Sequence, residues 1–64
     1  MGDYILVFYT LHNGFAHDIK VVESSNSKNR LIYIAESTRY QNYKDKGYVY
    51  SVFKNVGVQY DEED

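Results

Sequence analysis

With 64 residues and no cysteine, the chain is one small domain that no disulfide can staple, so its stability rests on a modest core. The net charge of −2 argues against a dedicated nucleic-acid binder, and no apolar run is long enough to span a bilayer. Apolar residues make up 44% of the chain and aromatics 17%, with tyrosine supplying eight of the eleven rings.

The start carries neither the basic residues nor the apolar run of a secretory signal. "MGDYIL" opens like a myristoylation site, but Leu6 stands where serine or threonine is required. The expected location is the cytoplasm. "DYILVFYTLH" is rich in branched and aromatic residues and reads as a first strand. "AHDIKVVE" reads as a second, and Asn13-Gly14 between them is the preferred pair for a two-residue type I′ turn. That turn sets a register in which Phe8 faces Ile19, Leu6 faces Val21 and Thr10 faces His17 on the core side. Val7 with Lys20 and Tyr9 with Asp18 share the wetter side.

"SSNSKN", residues 24–29, reads as a mobile polar loop. "RLIYIAE" then reads as a third strand, with Ile32 and Ile34 opposed to Leu31 and Tyr33. Residues 37–47, "STRYQNYKDKG", carry helix signals: capping-box spacing of Thr38 and Gln41, Lys44 and Lys46 near the end, and Gly47 as C-cap. "YVYSVFK" reads as the last clear strand, with Val49 and Phe53 opposed to Tyr50 and Val52 and no signal for which pair is inward. "NVG" reads as a turn or bulge, and "VQY" as a short extra strand.

The expected fold is therefore α+β. A small antiparallel sheet of four strands, five if "VQY" adds one, begins with the Asn13-Gly14 hairpin and carries one short helix near residues 38–46. Residues 1–60 form the compact domain and 61–64 an acidic, disordered tail.

Charge is unevenly placed. Residues 1–27 hold Asp3, Asp18 and Glu23 against Lys20, residues 28–60 hold six cations against Glu36 and Asp45, and "DEED" closes the chain. A weakly basic half thus lies between two acidic ends.

Catalytic chemistry finds no foothold. There is no cysteine nucleophile, the serines lack useful spacing to a histidine and an acid, and the four glycines are isolated. His12 and His17 flank the hairpin tip on one face, but a third ligand is missing, since alternation turns Asp18 away. No metal, cofactor or enzymatic activity is expected.

Two other features point to contact. Tyr40 and Tyr43, three residues apart on a helix, cover the sheet, while Arg39, Lys44, Lys46 and Tyr48 beside them offer a cationic, aromatic edge. That edge suits single-stranded DNA or RNA, read as the set Arg39, Tyr40, Tyr43, Lys44, Lys46 and Tyr48. Alternatively, Tyr60 followed by Asp61, Glu62, Glu63 and Asp64 suits a basic groove on another protein, with Tyr40 and Tyr43 adding apolar contact. Eight tyrosines exceed what one small core can hide. Compact acidic tyrosine-rich chains of this length are frequent among virus-encoded inhibitors. The expected function is accordingly a small non-enzymatic inhibitor or modulator that docks on a basic surface of a host nucleic-acid-handling protein. A nucleic-acid-binding module and a self-associating protein, such as a homodimer, are the alternatives.

Overall fold

The computed structural model describes residues 2–55. In chain order these form strand β1 (Tyr4–His12), strand β2 (Phe15–Ser25), helix α1 (Lys28–Glu36), a 3-10 turn (Thr38–Tyr40), helix α2 (Gln41–Asp45) and strand β3 (Val49–Lys54). The class is α+β, with a three-stranded antiparallel sheet ordered β2-β1-β3. The helical segment carries the chain from one edge of the sheet to the other, so β3 pairs with β1 and not with β2.

The hairpin forms as its turn sequence dictates. Asn13 and Gly14 take φ of 54° and 82°, the positive values that a type I′ turn needs at both central residues, and His12 pairs with Phe15 across it. Further along, the expected register fails. Thr10 does face His17, but Phe8 faces Lys20, Val7 faces Val21 and Leu6 faces Glu23. Two β-bulges in β2 account for this, each adding one residue opposite β1. Asp18, at the first, has φ of 52°, a left-handed conformation that aspartate tolerates better than most residues. The core side of β1 is Leu6 and Phe8 as expected, but Ile19 and Val21 are 61% and 63% exposed rather than packed against them. Val22, next to the second bulge, packs on the core instead.

The expected third strand is a helix. "RLIYIAE" lies in α1, where Leu31 and Ala35, one turn apart, are fully buried and Ile34 packs beside them. As a strand the same residues would have divided between two faces. The start is set by Ser27, whose Oγ accepts a hydrogen bond from the Arg30 amide at 3.2 Å. The loop expected at 24–29 shrinks to residues 26 and 27: Ser24 and Ser25 end β2, and Lys28 and Asn29 begin α1. The four-strand expectation is thereby reduced to three strands among the described residues, and the short strand expected at "VQY" lies outside them.

The helix expected near residues 38–46 divides into the 3-10 turn and the five-residue α2. Ser37, not Thr38, caps its start, accepting from the Arg39 amide at 3.3 Å. Its end follows the glycine signal. Gly47 has φ of 91°, its amide donates to Lys44 O at 3.0 Å, and the Tyr48 amide donates to Tyr43 O at 3.0 Å. Those are the paired bonds of a Schellman motif, and the accompanying apolar contact is Tyr48 edge-on to Tyr43, centroids 5.0 Å apart.

All the helical elements lie on the Leu6–Phe8 side of the sheet. The core is Leu6, Phe8, Leu31 and Ala35, ringed by half-buried side chains including Tyr4, Val22, Ile34, Tyr40, Tyr43, Tyr48, Tyr50 and Val52. Tyr50 and Val52 therefore form the inward face of β3. None of the seven tyrosines among the described residues is fully buried, and Tyr33 on α1 is 77% exposed.

Candidate functional site: an aromatic cleft and an uncharged sheet face

Phe8 sits at the centre of an aromatic cluster. Its ring centroid lies 5.0 Å from Tyr43, 5.1 Å from Tyr40 and 5.9 Å from Tyr50. Tyr40 and Tyr43 themselves stack at 5.9 Å, with their planes 24° apart. This is the helix-to-sheet packing that their three-residue spacing leads one to expect.

The outer side opens on a cleft of about 310 Å³ lined by Arg39, Tyr40, Asn42, Tyr43 and Lys46. Four of the residues proposed for nucleic-acid contact thus meet at one concavity. Lys44 and Tyr48 are not among its walls, and Asn42 is, a residue whose sequence context gave no signal. Arg39 is already engaged: its Nη2 lies 3.1 Å from Glu23 Oε2 and its guanidinium carbon lies 5.6 Å from the centre of the Tyr40 ring. The Tyr40 hydroxyl donates to the same Glu23 oxygen at 2.8 Å. Burial, then the hydrogen bond to Glu23 and its charge, raise the Tyr40 pKa above the ordinary phenol value, with Arg39 opposing. On the far side of the cluster the Tyr50 hydroxyl donates to Glu36 Oε2 at 2.6 Å, and that bond, followed by burial, raises its pKa as well. The two bulges together keep Glu23 on the core side and move it from the expected place opposite Tyr4 to one opposite Leu6.

Among the described residues, the other face of the sheet carries no helix. Side chains directly opposed across an antiparallel ladder share a face. The register therefore places Ile5, Val7, Tyr9 and Leu11 there, with Ala16, Val21 and Ser24 across on β2 and Val49, Ser51 and Phe53 on β3. None of these ten paired positions is charged; Asp18 and the exposed Ile19 lie at the first bulge, between the Phe8–Lys20 and Thr10–His17 pairs, outside the paired ladder. Val7 is only 5% exposed, while Leu11, Val21, Val49 and Phe53 stand out into solvent. The Tyr9 and Ser51 hydroxyls share a hydrogen bond of 2.7 Å at the middle of the face. An antiparallel sheet with a solvated side usually alternates apolar and polar; here the helix-free side is largely apolar as well.

His12 and His17 lie diagonally on the helix-bearing side of the protruding hairpin tip, ring centroids 5.8 Å apart. Among the described residues no three histidine, cysteine or acidic side chains gather as a metal site requires, and no helix is long and apolar enough to cross a membrane. Tyr60, Asp61, Glu62, Glu63 and Asp64, proposed from sequence as a partner contact, lie outside the described residues.

Comparison with protein-family models, with curated proteins and with solved structures finds no match to this chain. The functional reading therefore rests on the chemistry of these two surfaces.

Proposed function

We propose that the chain is a small non-enzymatic binding protein, an inhibitor or modulator that acts by contact in the cytoplasm. Its contact surface is the helix-free sheet face. The observation that carries this reading is the absence of any charged side chain from ten strand positions, four of which expose branched or aromatic groups to water. An exposed apolar area of that kind marks a surface made for another molecule. The partner that fits is a protein with an apolar ridge beside a basic surface, as nucleic-acid-handling proteins have. The ridge meets the sheet, and Asp61, Glu62, Glu63 and Asp64, following closely after β3 in sequence, supply charge that speeds encounter. Tyr60 and the outer edges of Tyr40 and Tyr43 add apolar contact.

The test is binding to such a partner by the wild type, by Phe53→Lys and by a chain lacking residues 61–64. Phe53→Lys, at a half-exposed position, is expected to abolish binding. Loss of the tail is expected to lower the association rate and flatten its dependence on salt. Equal binding by Phe53→Lys would refute the reading.

The cleft favours a second reading, a single-stranded DNA or RNA site in which bases stack on Tyr40 and Tyr43 and phosphates meet Arg39 and Lys46. Glu23 weighs against it, because a phosphate must displace a carboxylate already bonded to both Arg39 and Tyr40. Fluorescence anisotropy with a labelled oligonucleotide at low salt decides: tight, salt-sensitive binding favours this reading, and none excludes it.

A further inference from the structure

We propose that, when its partner is absent, the helix-free face is occupied by a second copy of this chain, packed sheet to sheet about a two-fold axis. Self-association and partner binding are then mutually exclusive. The inference rests on the reading of that face as the contact surface and says what controls its availability.

Three observations carry it. The first is charge. A two-fold contact sets one patch against itself, so any charged residue near its centre meets its own copy or a neighbour of like sign. The ten paired strand positions of this face carry no charge, with Asp18 at the first bulge outside the paired ladder, whereas the opposite side carries Lys20, Glu23 and Lys54 at paired positions.

The second is polar satisfaction. Tyr9, Ser24 and Ser51 hold the polar side chains of the face. Tyr9 and Ser51, at its middle, are bonded to each other at 2.7 Å. Their mutual bond satisfies one of the two O–H groups, so drying the centre costs less than drying two separate hydroxyls.

The third is area. The described molecule measures 41 × 30 × 14 Å, a thin slab with the open sheet as one broad side. Three strands about 4.8 Å apart over about six residues, plus the two-stranded arm beyond them, give a flat footprint of about 400 Å² per copy. Two copies reach about 800 Å² before side-chain relief is counted, below the lower bound of specific stable interfaces, about 1,200 Å². A weak, exchanging dimer follows, one that a partner able to add charge pairing displaces. Aligned packing of two such sheets at about 10 Å would turn each half-core into the inner layer of a sandwich.

Sedimentation velocity from about 10 μM to about 1 mM, the range in which an interface of this size should assemble, tests the proposal. The wild type is expected to rise from its chain mass of 7.5 kDa toward twice that value. Phe53→Lys and Val21→Lys, both at exposed positions of the face, are expected to stay at chain mass with unchanged far-ultraviolet circular dichroism. Tyr33→Lys, exposed on α1, is expected to associate as the wild type does. A wild type at chain mass throughout, or a Tyr33→Lys protein as monomeric as Phe53→Lys, overturns the proposal. In the first of those cases the apolar dye ANS separates the two inferences. Dye binding lost in Phe53→Lys leaves the contact face standing without self-association, and equal dye binding by both chains ends both.

Discussion

Replacing Phe8 by leucine removes a ring while keeping most of a buried apolar side chain. Phe8 is fully buried and its ring lies within 5.9 Å of three tyrosine rings, those of Tyr40, Tyr43 and Tyr50. Aromatic pairs contribute about 0.5–1.5 kcal/mol each beyond buried area, so loss of three, partly recovered by leucine packing, costs about 2 kcal/mol. Phe8→Ala adds the cavity and costs about 3–5 kcal/mol. A chain of this length has a total stability of roughly 3–10 kcal/mol, so the alanine variant sits at or near unfolding and the leucine variant is the informative one. Phe15 is the control: it is 70% exposed at the hairpin tip, and Phe15→Leu should change stability by less than about 0.5 kcal/mol. Urea unfolding, followed by far-ultraviolet circular dichroism and by the tyrosine band of the near ultraviolet, measures both. A Phe8→Leu midpoint equal to that of Phe15→Leu would refute the placement of Phe8 at the hub of the aromatic cluster.

Three further outcomes are expected. Ser27→Ala removes the cap that starts α1 and should lower stability by about 1 kcal/mol in the same urea assay, since the first turn of that helix has no acidic residue to compensate. At the first bulge, Asp18→Gly should be neutral or stabilising by a few tenths of a kcal/mol, because glycine takes φ of 52° without a Cβ, whereas Asp18→Val should cost about 1–2 kcal/mol. The raised pKa values of Tyr40 and Tyr50 set the alkaline limit. Below about pH 10 both phenols are protonated folded or unfolded, and stability is unaffected by them. Above it the unfolded chain releases protons that the folded chain retains, so stability falls as pH rises toward the folded values. In a phenolate absorbance titration, Tyr40→Phe and Tyr50→Phe should each remove a late-titrating phenol.

What was legible in the sequence depended on whether local chemistry decided the outcome. Asn13-Gly14 and Gly47 announce positive φ, and both turns form where they stand. β1 is legible because its neighbours on either side agree with its propensity. "RLIYIAE" misleads because two isoleucines and a tyrosine favour a strand, while the deciding facts are a cap at Ser27 and the one-turn spacing of Leu31 and Ala35, a stripe that exists only once Leu6 and Phe8 supply something to bury against. The bulges at Asp18 and Val22 carry no glycine and no proline, so nothing local marks them. Their effect reaches the site: together they shift Glu23 from opposite Tyr4 to opposite Leu6, where it meets Arg39 and Tyr40. The apolar character of the open face was likewise hidden, because it appears only when three strands are set in register and their alternate residues are read together.

The two surplus residues of β2 also act as slack in the length of the chain. Losing Asp18, or one residue beside Val22, would let the ladder straighten while every flanking side chain kept its side of the sheet. The same loss from the middle of β1, which carries no such reserve, would turn half of that strand over and push Leu6 or Phe8 into water. Tolerance of shortening is thus stored in one outer strand. Straightening has its own consequence, since an edge freed of its kinks becomes a long even template on which stray strands can grow.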